Sequence, residues 1–341
     1  MVGTPLLLDF SRPPNARESD ALTRRLSRLE RSEASVSASV QHFAVMSADR
    51  KPSDALRFRV GYSVLASPAN PGGSDRVLPP RENRPPVTRL MSPRGAALRL
   101  HLLALADAQF RGRPGRATKN VRPIRTVSPE EPGWSSLLAS EAVMKGDGKV
   151  YMTAKDKRVR QIQSALDALK VAGLVELPHY ARGAGKYEEF ELLEETSGMV
   201  PGDDPIRYLV PKMSESTFWL PDGFVTEGWV HLLADTEIAL LLMVACGRHS
   251  IESEAVAIPA FHRVQHYGVG RDAFEAHLWL QRFGLLEVHE VGRHSDGRSE
   301  EYEEEGASLH RLSLRPEGLA ENGARVVRAV IEGQLARAPG A

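Results

Sequence analysis

The sequence predicts an α+β protein, mostly α: two consecutive helical units, each closed by a short β-hairpin, behind a disordered N-terminal arm. Three observations lead there. In the stretch from Thr153 to Leu193, Val159, Ile162, Leu166 and Leu169 recur at helical spacing, Gly173 supplies a stop, and "LVEL" and "YEEFELL" flank the Gly-rich tip "PHYARGAG". The same ending returns 111 residues later: Gly173-Leu174-Val175-Glu176-Leu177 aligns with Gly284-Leu285-Leu286-Glu287-Val288, and Leu169 falls on Leu280. Residues 1–85, by contrast, hold "SRPPNARESD", "SEASVSASV" and "SPANPGGSDRVLPPRENRPP", rich in Ser, Pro, Gly and charge and without sustained periodicity.

Taken in order, residues 1–85 read as the low-order arm. Within it "ALTRRLSRLERSE" has the spacing of a short helix (Leu22, Leu26, Leu29), and "RFRVGYSV" alternates like a strand. Such an arm is also consistent with translation starting nearer Met46 or Met91. Residues 86–198 form the first unit. Its "RGAALRLHLLALADAQF" puts Leu98, Leu102 and Leu105 on one helical face, followed by a basic loop carrying Arg111, Arg113, Arg116 and Lys119. A short helix around "GWSSLLASEA" precedes the helix that starts after Thr153. Residues 199–215 are expected to be a linker, and 216–318 the second unit. There Asp235 is placed to cap a long apolar helix, and Pro259 to open the next. Residues 319–341 close the chain with a helix whose Val326, Val327, Val330 and Ile331 form one stripe, fit for packing or dimerisation.

Whole-chain charge is zero, but its distribution is not even. Residues 1–80 carry a net of +3, residues 81–187 a net of +11, and residues 188–341 a net of −14. That pattern joins a polyanion-binding part to a part with another task. No apolar run reaches the about 18 residues of a membrane span, and the N-terminus lacks the basic region of a secretory signal. The single cysteine, Cys246, sits in "IALLLMVAC" and excludes a disulfide framework and a Cys-rich zinc site. A cytoplasmic location is the expectation.

Helix, helix, helix, strand, tip, strand, ending in "L-x-x-L-x-x-x-G-L-V-E", resembles the recognition helix and wing of the winged helix-turn-helix superfamily. The fold expected is therefore two tandem winged-helix domains with a disordered N-terminal arm. Two such domains in one chain, the first near "LMSPRGAALRLHLLALADAQ" and the second with "LP…F…GW…L…E…AL", also resemble plasmid- and phage-type replication initiators over residues 86–318. That resemblance implies binding to repeated origin sites and carries no catalytic residues.

Placed on a wheel, the helix after Thr153 buries Val159, Ile162, Leu166 and Leu169 and turns Lys157, Arg160, Gln161 and Ser164 outward, with Arg158 on a flank. Cations in the first turns oppose the helix dipole, which Asp156 relieves only in part; phosphate opposite them would resolve the conflict. Arg160 and Gln161 suit base edges in the major groove. Lys155, Lys157 and Arg158 suit phosphates, and Arg182 and Lys186 beside the tip suit the adjacent backbone or minor groove. The second unit differs: Glu300, Glu301, Glu303, Glu304 and Glu305 in its hairpin repel phosphate, so dimerisation or a protein partner is its expected role, with Arg263 and Arg271 offering only weak DNA contact.

Enzyme chemistry finds little support. His262 and His266 stand four apart without a third ligand. "ARGAGKYEE" lacks the first Gly and the final Ser/Thr of a phosphate loop, having Tyr180 and Tyr187 there. Trp134, Trp219, Trp229 and Trp279 read as core or entry aromatics. The expectation is a non-enzymatic protein without cofactor or metal. It would bind double-stranded DNA, as a homodimer, as transcriptional regulator or replication initiator. The alternative is a protein–protein adaptor that uses the same folds as interaction modules.

Overall fold

A computed structural model describes residues 8–48, 50, 55–92, 96–128, 132–139, 153–181, 183, 185–197, 204–251, 254–289, 302–303, 306–307 and 310–338. The expectations for Arg182, Glu300, Glu301, Glu304 and Glu305 lie outside the described residues. Among those described, the chain is α+β with helix predominating. It opens with α1 (Ala16–Ser47) and β1 (Ala55–Arg59). Next come α2 (Pro86–Leu90), α3 (Ala97–Arg111), α4 (Trp134–Leu137) and α5 (Ala154–Val171), then the paired strands β2 (Val175–Glu176) and β3 (Glu191–Leu192). The second half holds β4 (Thr217–Pro221), α6 (Gly223–Thr226), α7 (Trp229–Leu232), α8 (Asp235–Ile251), β5 (Ala255–Val256) and α9 (Ala260–Gln265). It continues through α10 (Arg271–Phe274), α11 (His277–Arg282), β6 (Leu286–His289), the small pair β7 (Tyr302–Glu303) and β8 (Gly306–Ala307), β9 (Arg311–Leu314) and α12 (Gly323–Leu335).

The N-terminal region departs most from expectation. Residues 16–47 are one long helix, not a disordered arm. Asn15 accepts from the Glu18 amide while the Glu18 carboxylate accepts from that of Asn15, a reciprocal cap stabilising the helix by about 1 kcal/mol. Leu22, Leu29, Val36 and Phe43 are all buried. Each such side chain contributes about 1.5–3 kcal/mol on burial, enough to order a helix whose middle carries several Ser and Val residues of lower helix propensity. The serines have a packing use, since Ser35 and Ser39 are themselves buried where other elements approach closely. β1 likewise joins the fold, pairing antiparallel with β4 from Ala55↔Pro221 to Arg59↔Thr217.

α3 is buried along nearly its whole length and forms the centre of the first unit, with α5 packed on it and α4. In the second unit α8 is the buried helix, against a three-stranded antiparallel sheet of order β5-β9-β6. Asp235 opens α8 without capping it: its carboxylate accepts from the Ser92 amide and pairs with Arg99 at 2.9 Å. At the aligned helix ends, Gly173 and Gly284 take φ of +71° and +73°, the left-handed region that glycine enters without strain. The Leu174 amide then donates to Leu169 O, as the Leu285 amide does to Leu280 O, at 3.0 and 2.9 Å. Both helices therefore end in the same hydrogen-bonded cap.

Two further expectations change. The segment read as a linker is hydrogen-bonded into the fold from Ile206 and buried at Tyr208 and Val210. The Tyr208 amide donates to Leu192 O, and the Glu194 amide to Ile206 O. The C-terminal stripe is also occupied within the chain: Val327 and Ile331 are buried, and α12 lies along α1, with Arg328 near Glu33 at 3.3 Å. Apolar spacing told of burial on that stripe but not of which partner would cover it.

Candidate nucleic-acid interface

The expected burial of α5 holds: Val159 is 4% exposed, and Ile162, Leu166 and Leu169 are fully buried. Thr153 caps the helix, its hydroxyl accepting from the Asp156 amide at 3.1 Å. The Asp156 carboxylate is held below its usual range by the Thr153 hydroxyl and then by Arg125, which donates to it at 3.0 Å. One acidic group thus ties the N-terminus of α5 to the preceding loop while adding negative charge where the helix dipole favours it.

The eight predicted contact residues divide. Lys155, Arg160 and Ser164 are exposed, with Lys157 half-buried between them. Arg158 is not available in the way expected: it donates to the Ser35 hydroxyl of α1 at 2.6 Å. Gln161 is also half-buried. On the wheel Arg158 lies toward the buried side, and α1, unforeseen as a neighbour, occupies that flank. The outward base-reading candidate left from the Arg160/Gln161 pair is Arg160.

Lys186 is placed by aromatic rings. Its ammonium lies 4.8 Å from the Tyr180 ring centre and 4.5 Å from that of Tyr187, and its pKa is raised chiefly by hydrogen bonding to Tyr187. Lys170 approaches Tyr180 at 4.3 Å, so Tyr180 brings a cation from the end of α5 and one from the hairpin to one ring. Tyr187 donates to the Asp167 carboxylate at 2.8 Å, and Glu188 accepts from the Ile124 amide at 2.9 Å. The hairpin is therefore pinned to α5 and to the loop before α4.

The basic loop is partly committed to structure. Arg111 and Arg122 both pair with the buried Asp107 at 2.6 Å, whereas Arg113, Arg116 and Lys119 are exposed. Sequence reasoning missed Arg125 and Lys170, which only spatial neighbours bring to the site, and Tyr180 as a ring that gathers cations.

In the second unit Arg263 stacks on Phe274 at 4.7 Å and donates to Val269 O, while Arg271 is exposed. α11 is flanked by the N-terminal region: Arg25 of α1 stacks over Trp279 at 4.3 Å, and Phe10 meets Trp279 edge-on at 4.9 Å. Trp134 and Trp229 are buried, whereas Trp219 and Trp279 are partly exposed. The His262 and His266 rings stack at 4.7 Å, and His266 Nδ1 donates to Leu65 O. Among the described residues no group of three or more His, Cys, Asp or Glu side chains could hold a metal ion, and no helix is long and apolar enough to cross a membrane. No family model, no curated protein and no solved structure matches the chain.

Proposed function

We propose that the protein binds double-stranded DNA, with α5 entering the major groove and the β2–β3 hairpin serving as the wing, in a tandem winged-helix arrangement. The observation that carries this reading is the outward side of α5: Lys155, Arg160 and Ser164 exposed on a helix whose opposite side is buried. The helix order before α5, the hairpin after it and the lysines gathered on Tyr180 support the reading. Arg160 reads a base edge, and Lys155, Lys157 and Lys186 meet phosphates. The biological role is transcriptional regulation or replication initiation, the latter implied by the resemblance to plasmid- and phage-type initiators. If two copies act on paired half-sites, they meet elsewhere than on the α12 stripe, which α1 covers.

The test is fluorescence anisotropy of the full chain on duplex DNA across a salt series. Full length is required because α1 packs on both halves. Five or six phosphate contacts give a slope of log K against log salt of about −5 or steeper. Arg160→Ala should cost about 1–3 kcal/mol on the preferred sequence and little on random DNA. Absence of salt-dependent binding would overturn the reading. It would favour an adaptor role, for which the covering of α11 by the N-terminal region is the supporting observation. DNA recovered with the protein from its cell separates a repeated origin array from a single operator.

A further inference from the structure

The basic loop after α3 is shaped by a tight turn. The Arg116 amide donates to Arg113 O at 3.0 Å across Pro114 and Gly115. Proline suits the second position of such a turn, and Gly115, at φ +76°, supplies the left-handed third. Arg113 and Arg116 therefore stand at the two ends of one turn, with Cα atoms within about 7 Å of each other. A third cation arrives from a distant part of the chain. The Gly115 amide donates to Val210 O at 2.7 Å, and the Val210 amide to Arg116 O at 3.0 Å. Two residues after Val210, Lys212 lays its side chain over Gly115, its Nζ 3.3 Å from where a Cβ would stand. The missing Cβ both permits the turn and makes room for the lysine.

Arg113, Arg116 and Lys212 are exposed, and among the described residues none of their side chains has a hydrogen-bond or ion-pair partner. The carboxylates of the elements around them are engaged elsewhere. Asp107 holds Arg111 and Arg122 at 2.6 Å, Glu191 takes Arg207 at 3.2 Å, and Glu215 takes Arg59 at 2.9 Å. Glu188 accepts from the Ile124 amide. Asp204 stands eight residues before Lys212, on the far side of the stretch paired with β3. Three like charges are thus held together by backbone hydrogen bonds, a repulsion that an external anion relieves.

The register places this cluster. Arg207 bridges Leu193 antiparallel, and the Tyr208 amide donates to Leu192 O. Residues 206–208 therefore run against β3 and head toward the end of β3 that joins the hairpin tip. Lys212 and the turn bound to Val210 follow in that direction, toward the hairpin that carries Lys186. We infer that the Arg113–Arg116 turn with Lys212 is a phosphate site for duplex DNA, beside the wing and gripping the backbone that flanks the base pairs met by α5. The inference rests on the DNA reading of α5. Contacts of this kind position without reading sequence, so the site raises affinity on all duplexes alike.

The experiment compares the wild-type full chain with the combined variant Arg113→Gln, Arg116→Gln, Lys212→Gln, by anisotropy on a preferred and a random-sequence duplex over a salt series. Each lost phosphate contact removes about 0.9 from the slope, so the variant should be shallower by about 2.7. The ratio of affinities for the two duplexes should stay unchanged. A control variant, Arg17→Gln, Arg24→Gln, Arg76→Gln, removes as many exposed cations from other elements and should keep the wild-type slope. If the first variant loses its helical circular dichroism, Arg113→Gln with Lys212→Gln serves, with an expected loss of about 1.8. A wild type with steep salt dependence and a folded variant of the same slope would overturn the turn site alone. So would a control that flattens the slope as much, since net charge would then account for the loss. A wild type without salt-dependent binding would overturn the α5 reading and the turn site with it.

Discussion

Arg59 offers a measurable test of how the N-terminal strand is locked to the middle of the chain. Its guanidinium lies 2.6 Å from Glu195, 2.9 Å from Glu215 and 3.6 Å from Glu194, and donates to Leu209 O at 3.0 Å. Glu195 is fully buried, and burial pushes its carboxyl above the usual range while Arg59 opposes that shift. Arg59→Met leaves the Glu195 carboxylate with the Arg59 backbone amide at 3.3 Å but no cation. Removing one partner of a buried pair costs about 3–5 kcal/mol, a large share of the about 5–15 kcal/mol that holds a domain folded. The assay is urea unfolding followed by circular dichroism, since urea does not screen charge. Adding Glu195→Gln to Arg59→Met removes the buried charge and should restore at least half of the loss. The pH dependence has a defined sign. A carboxyl raised in the folded state binds its proton there before it does in the unfolded chain, so Arg59→Met should regain stability as pH falls below 7. A loss under about 1 kcal/mol, or no rescue by Glu195→Gln, would refute the reasoning, because both follow from an uncompensated buried charge.

Other consequences can be measured directly. Phe43→Ala should destabilise by about 3–5 kcal/mol, and a chain begun at Met46 should lack cooperative unfolding; a truncated chain that melts as sharply as wild type would show α1 to be dispensable. Arg158→Ala and Ser35→Ala should each lower the melting temperature, and a double-mutant cycle should return a coupling above about 0.5 kcal/mol. Burial holds His101 and His231 down to about 3, and His42 to about 4. Their stabilisation is complete above the unfolded value of about 6.5 and is lost as pH falls toward those folded values. For the fully buried His101 alone the loss at pH 5 is about 2 kcal/mol, and a flat profile between pH 7 and 5 would contradict it.

The sequence was most readable where one element carried its own evidence. α5 has a cap, an apolar stripe and a glycine stop within twenty-odd residues, and all three appear where spacing puts them. What failed was the identity of neighbours. Leu22 and Leu29 were visible, but Val36 and Phe43 continue the same seven-residue rhythm through serines and alanines that resemble disorder by composition. Serine at a close helix contact and serine in a solvated coil are the same letter; only the apolar positions around it distinguish them. Arg158 shows the same limit. Its spacing gave its direction on α5, but α1, more than a hundred residues upstream, decides what it meets. Likewise Val327 and Ile331 announced a buried stripe without naming α1 as its cover.

The pairing of α1 with α12 bears on how the chain is made. Glu33 and Arg328 lie 295 residues apart, so the first helix leaves the ribosome long before the last exists. At about 5–20 residues per second, that interval is about 15–60 s. Throughout it, the side of α1 meant for α12 faces water or a chaperone. The contacts of α1 with α3, α4 and α6 can form during that interval, but those with α12 cannot. A ribosome stalled before residue 323 leaves α1 without the cover that Val327 and Ile331 of α12 supply.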